Sequence, residues 1–177
     1  ANKAGLIKTD NEIHGIILKG VDKDYNWNYI NSNLTLGNIP QYTDDERSND
    51  VVISKIIADK LLLNVGDDVR IWFVGEDMKT RGRKFSVKGI YETGLTECDE
   101  RFIYCDLNQI RRLNGWENDY VGHLEIQLNE DVDVLEANNY IYYSIPTYLI
   151  SYTARELYPH IFDWLDLQDM NVVIIIV

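Results

Sequence analysis

Apolar residues recur along this chain at two periods, and the switches between those periods mark its elements. AGLIK (4–8) and EIHGIILKGV (12–21) alternate as short strands, with Asp10 and Asn11 as turn residues between them. DKDYNWNYINSN (22–33) is polar and aromatic and leaves room for a short helix, and residues 37–50, with Gly, Pro and the acidic run TDDERSND, read as a long loop. VVIS (51–54) is a strand whose Ser54 caps a helix over KIIADKLLL (55–63). The turn Asn64–Asp67 leads into a strand over 68–74 that puts Val69, Ile71 and Phe73 on one face. Residues 75–83 (GEDMKTRGR) read as a polar loop. KFSVKGIYE (84–92) alternates strongly, with Phe85, Val87, Gly89 and Tyr91 pointing one way.

Downstream, RFIYCD (101–106) is a strand and 106–113 a helix, with Asp106 as its cap, Arg111 and Arg112 at its negative end and Asn114-Gly115 as its stop. VGHLEIQL (121–128) alternates as a strand, 132–144 is helical, and PTYLIS (146–151) reads as a strand opened by a proline. Residues 153–170 predict a helix with Thr153 and Glu156 at capping-box spacing and a bend at Pro159. Strands and helices follow each other without a strict βαβ rhythm, which predicts an α+β fold. Ile71, Phe73, Phe85, Val87 and Ile103 are expected in one buried sheet layer.

Composition narrows what such a fold can do. The 177 residues suit one domain or two small ones. A net charge of −12 opposes binding to nucleic acid, and the densest basic run, Lys79–Lys84, reads as a solvated turn. The same charge opposes lying flat on an anionic leaflet, so soluble protein partners fit better. No signal peptide and no stretch near the ~20 apolar residues of a membrane span is visible, which predicts that the chain is soluble as it stands. Cys105 reads as a buried thiol at the end of its strand. Cys98 stands in the loop before it, and a bridge between them would require that loop to fold back.

Catalytic chemistry finds little support. His14 and His123 are placed in strands and His160 in a helix, each without a carboxylate or cysteine at ligand spacing. Acidic pairs such as Asp44-Asp45 and Asp67-Asp68 fall in loops and turns, and no nucleophile elbow, metal-binding helix motif or phosphate loop occurs. The expectation is a protein that is not an enzyme and holds no metal or cofactor.

An ordered set of segments is more informative: GIILKGVD (15–22), VVISKIIADKLLLNVGDDVRIWFV (51–74), RKFSVKGIYETGLTECDERFIYCDLNQIRRL (83–113) and GHLEIQL (122–128). This succession resembles the extracytoplasmic domain of ABC-transporter permeases of the MacB/FtsX superfamily, and looks closest to the lipoprotein-releasing LolC/LolE type. Gly66-Asp67 matches the family's "VGD", Gly89–Gly94 with Asp99 its "GIFETG…D", and Phe102–Leu113 the strand and "DL…RL" helix that follow. The resemblance implies a porter-like α+β subdomain from both chain ends (1–21 and 120–171) with an inserted β-rich subdomain (22–119). It also implies a transmembrane helix directly after the domain, of which 172–177 would be the first turns, cut short; by composition alone VVIIIV suits a buried strand equally well. Ala1 and Val177 would then lie on one side.

The function implied is transport. Such a domain sits on the periplasmic face of the bacterial inner membrane in a permease served by a cytoplasmic ATPase subunit, paired with a second permease subunit or a copy of itself. It passes ATP-driven motion to a lipoprotein or a periplasmic carrier. Related permeases of the FtsX type regulate a cell-wall hydrolase, and those of the MacB type dock a membrane-fusion partner. In the lipoprotein-releasing branch, the loop after the "GD" strand can extend as a hook that holds the carrier. That position here is 75–83, which is short and has Met78 as its sole apolar side chain. Met78, Lys79, Arg81 and Arg83 are the partner-binding candidates, through positive charge concentrated on an acidic molecule; the plainer reading is a hairpin loop.

Overall fold

The computed structural model describes residues 1–8, 13–75, 80–129, 131–163 and 166. The chain divides into two compact units, Ala1–Leu124 and Glu125–Val177.

The first unit is built on seven strands: β1 (Asn2–Lys8), β2 (Ile13–Val21), β3 (Leu34–Gly37), β4 (Asp50–Ser54), β5 (Asp68–Val74), β6 (Thr80–Tyr91) and β7 (Phe102–Asp106). Their order is β3-β6-β4-β7-β2-β1-β5, and β5 pairs again with β6. That last pairing closes six strands into a barrel, β6-β4-β7-β2-β1-β5, with β3 outside it against the far end of β6. The barrel is mixed: β2–β7 and β4–β6 run parallel, the other pairs antiparallel.

Alternation explains the interior. Ile7, Ile16, Leu18, Val51, Ile53, Val69, Ile71, Phe73, Phe85, Val87, Ile103 and Cys105 are buried in one cluster, as a small barrel filled by its own side chains requires. The expected layer of Ile71, Phe73, Phe85, Val87 and Ile103 is therefore present. Gly5 belongs here because a Cβ would stand 2.8 Å from Ile71 Cγ2 and 2.9 Å from Phe73 Cε1.

The pattern read for β6 is not followed to its end. Val51 pairs with Val87 but Val52 with Gly89, so Lys88 is an extra residue and the alternation inverts behind it. Ile90 then turns into the barrel. Tyr91 turns outward to a second cluster with Ile30 and Val52, against which Trp27, Leu34, Ile39 and Tyr104 pack. Gly89 is required at the bulge: a Cβ would meet the Asn38 carbonyl at 2.8 Å.

Two helices close the barrel. Helix α1 (Asn28–Ser32) buries Ile30 in the outer cluster, and α3 (Thr96–Asp99) precedes β7. Helix α2 (Lys55–Leu61) follows β4, with Ser54 accepting from the Ile57 N–H at 3.1 Å. Helix α4 (Leu107–Asn114) follows β7, with Asp106 accepting from the Asn108 N–H at 2.8 Å. Since β4 and β7 are antiparallel, the two helices leave from opposite ends of the barrel. Ile57 and Ala58 join the core at one end, Leu107 and Ile110 at the other. Both cysteines are free.

In the second unit, α5 (Val134–Ser144) is capped by Asp133, and α6 (Ala154–Leu157) by a complete Thr153–Glu156 capping box. The helix expected over 153–170 breaks at Tyr158, because Pro159 has no N–H to continue it; helical geometry resumes over 159–163. Residues 121–128 and 146–151 carry strand patterns but join no sheet of the described residues, and Leu124, Ile126, Leu149 and Ile150 stand exposed.

The sequence division at residues 22 and 120 is not the one observed. β2 pairs with β7 and β1 with β5, so residues 1–21 share a barrel with strands of 22–119. Residues 172–177 lie outside the described residues, and with them the position of Val177. Among the described residues no helix is long and apolar enough to cross a membrane. The α+β class holds.

Candidate functional site

The candidate partner-binding segment becomes a β-hairpin. Residues 68–74 and 80–86 pair in register from Asp68↔Ser86 to Val74↔Thr80. The polar loop is thus shorter than its composition suggested, because β6 starts at Thr80 and carries Arg81 and Arg83 within the ladder. Glu76, Asp77, Met78 and Lys79 lie outside the described residues.

Register fixes where the arginines point. Arg83 opposes Ile71 and Arg81 opposes Phe73, so both share the face of β6 that continues as Phe85 and Val87 inside the barrel. Asp50 pairs with Ser86, and β6 upstream of that pair passes beyond the end of β4. That is the end from which α4 leaves, so Arg81 and Arg83 come to lie beside α4.

Two more arginines arrive there. Arg112 is exposed in the last turn of α4. Arg47 is exposed on the 38–49 loop, and four hydrogen bonds latch that loop to α4: Ser48 N–H to Asp106 Oδ2 (2.8 Å), Asn108 Nδ2 to the Thr43 carbonyl (3.3 Å), and Gln109 Nε2 to the Ser48 carbonyl (2.7 Å) and Asn49 Oδ1 (2.8 Å). Burial of the half-buried Arg83, together with the like charges of Arg112, Arg47 and Arg81, holds its guanidinium below the usual arginine range. Its Nε is buried and has no hydrogen-bond partner. Lys84 and Lys88, on the other face of β6, stand beside Asp68 (2.7 Å) and Asp50 (3.9 Å). The nearby carboxylate is Asp106, buried and engaged by the Ser48 and Asn108 N–H groups; burial raises its pKa, while those bonds and the charges of Arg111 and Arg47 lower it.

His14 Nε2 meets the Glu100 carbonyl at 2.9 Å across the sheet. His123 lies in irregular chain rather than a strand, and His160 in the helical stretch that resumes at Pro159. Asp67 accepts from the Asn64 N–H at 2.8 Å within its turn, and Asp44 pairs with Lys23. Among the described residues no group of three or more His, Cys, Asp or Glu side chains is placed to hold a metal ion. Asp99 is buried and takes the Thr93 hydroxyl (2.7 Å) and the N–H groups of Thr93 (2.9 Å) and Gly94 (3.2 Å), which fixes the turn before β7.

The sequence reading names Arg81 and Arg83 but not Arg47 or Arg112, which the fold places near them. No spacing links positions 47, 83 and 112; strand register and the loop latch bring them together.

The family model of the MacB-like periplasmic core domain matches residues 4–141. Among solved structures, the chain is similar to the extracellular domain of YknZ, a noncanonic ABC-type transporter from Gram-positive bacteria, with a TM-score of 0.44 and 21% identity. The match covers 65% of this chain and 56% of that one, so the chain spans little more than half of that domain's length. No curated protein matches the chain.

Proposed function

This chain belongs to the family of MacB-like periplasmic core domains, and we propose that it serves as the extracytoplasmic domain of an ABC-type permease, passing ATP-driven motion to a cargo or carrier outside the cytoplasm. The observation that carries the reading is the family match over residues 4–141. The fold supports it physically. A closed barrel, filled inside and plugged at both ends by α2 and α4, deforms little, so a push applied to it arrives elsewhere as displacement. In the finer reading the cargo is a lipoprotein handed to a soluble carrier, the ATPase is a separate cytoplasmic subunit, and a second permease subunit or a copy of the first completes the assembly. The β5–β6 hairpin, with Met78, Lys79, Arg81 and Arg83, is the contact for the carrier.

The test is reconstitution of a permease carrying this domain, with its ATPase, in proteoliposomes loaded with an acylated lipoprotein. ATP-dependent appearance of that lipoprotein on a soluble carrier is expected. Steady ATP turnover without transfer overturns lipoprotein release. A second reading, export through a docked membrane-fusion partner, is favoured by the MacB-like character of the matching family. ATP turnover stimulated by such a partner, with no lipoprotein transferred, selects it.

A further inference from the structure

We infer that Arg47, Arg83 and Arg112 form a recognition surface for an acidic segment of a protein partner, which they bind through its side-chain carboxylates. The inference names the partner chemistry for the docking region just proposed and rests on that reading only for the region's role in the permease.

Three arginines from three elements meet at the α4 end of the barrel, and among the described residues no hydrogen bond or ion pair engages any of them. This happens in a chain with 29 acidic residues against 17 basic ones. Elsewhere on the same strand the cations do stand beside carboxylates. Like charges gathered around the half-buried Arg83 guanidinium are unfavourable in the free protein, and a bound anion offsets that cost. Guanidinium groups present planar forks that match carboxylate geometry.

The surface is also set in advance. The loop bearing Arg47 is latched to α4 by the bonds from Ser48, Asn108 and Gln109, and Arg83 is held in the β5–β6 ladder, so little ordering remains for the moment of binding.

Charges borne by three separate elements, two of them on exposed side chains, suit a run of carboxylates better than one compact ion. A net charge of −12 disfavours an anionic bilayer as the occupant, since the rest of the acidic surface would face it. Repulsion between this chain and an acidic partner fades beyond the ~8–10 Å screening length, whereas contacts at the arginines persist.

The probe is fluorescein-labelled hexaglutamate peptide, titrated with the 177-residue chain and followed by fluorescence anisotropy at about 0.1 M salt, where the screening length is ~10 Å. Saturable binding is expected. Arg47→Glu and Arg112→Glu, both at exposed positions, should each weaken it about tenfold, Arg83→Gln by a similar factor, and Arg70→Glu on the outer face of β5 by less than about twofold. Circular dichroism of each variant confirms the fold, and the two exposed variants carry the test if Arg83→Gln does not fold. The inference is overturned by absence of saturable binding, or by an equal loss in Arg70→Glu, which would mark diffuse attraction. Capture by phosphatidylglycerol vesicles in preference to the peptide, lost in the same variants, would assign the surface to lipid and equally overturn it. Failure here leaves permease coupling untouched; peptide binding without ATP-dependent lipoprotein transfer sinks the release reading alone.

Discussion

At the scale of single residues, the barrel interior and the helix ends make opposite demands. Phe85 is 1% exposed and fills the barrel opposite Val69, in one cluster with Ile71 and Phe73. Phe85→Ala should destabilise the fold by about 3–5 kcal/mol, the sum of lost transfer energy and a cavity that a closed barrel cannot collapse. A urea midpoint shift worth less than ~1 kcal/mol would mean the assigned register is wrong. Leu62 is the reverse case. It ends α2 with φ 55°, a left-handed conformation that crowds a Cβ, and its side chain is 85% exposed, so it contributes little packing in return. Leu62→Gly should raise stability by up to about 1 kcal/mol, read as a higher urea midpoint at unchanged slope. Both positions illustrate what is legible at this scale. Phe85 announces its burial by alternation, whereas Leu62 gives no sign in sequence of its positive φ, because glycine normally marks such a position and here Gly66 stands four residues later.

Elements were readable wherever local pattern and tertiary pairing agree. Strand β5, the Ser54 and Asp106 caps and the stop at Gly115 all follow from residues within a few positions of one another. Strand β3 escaped because four residues, three of them exposed, carry too little alternation. Segments 121–128 and 146–151 show the converse: alternation states that a segment can pair, not that a described partner exists. The bulge at Lys88 could not be seen, since it depends on the register of β4 against β6. The capping box of α6 was legible and makes a pH prediction. Glu156 accepts from the Thr153 N–H at 2.7 Å and from its hydroxyl at 2.9 Å, and these bonds hold its carboxyl below the usual glutamate range. A depressed carboxyl stabilises the folded form while ionised. Its contribution is therefore present above the unfolded-state value of about 4.3 and is lost as pH falls through the lower folded one. Amide protection factors at Leu157 and Tyr158, corrected for intrinsic exchange, should fall across that acid window in the native chain and vary less in Glu156→Gln. Identical pH profiles for the two would show that the box does not hold α6.

For the whole molecule, topology decides what can stand alone. The parallel β2–β7 pairing joins Ile17 to Phe102 and the β5–β6 ladder closes the ring, so the barrel forms from contacts remote in sequence. This is why barrel closure, the sharing of residues 1–21 with later strands and the Arg47–Arg83–Arg112 surface were hidden from a linear reading. It also predicts where the chain can be cut. Every member of the main hydrophobic cluster lies between Ala1 and Trp116, including the residues of α2 and α4 that plug the barrel. Helix α5 buries none of its side chains and is poor in strong helix formers, with two Asn and three Tyr in eleven residues. A fragment of residues 1–124 should therefore unfold in urea as one cooperative transition, with a midpoint close to that of the same region in the full chain. Residues 125–177 in isolation should give no sigmoidal transition, because helices this short are marginal in water without an apolar face to bury. The two outcomes are independent measurements. If 1–124 melts without a sigmoid, the barrel core is not self-sufficient and the stabilising role assigned to α2 and α4 fails. If 125–177 melts cooperatively alone, then its exposed apolar side chains find in isolation a packing that burial in the whole chain does not reveal.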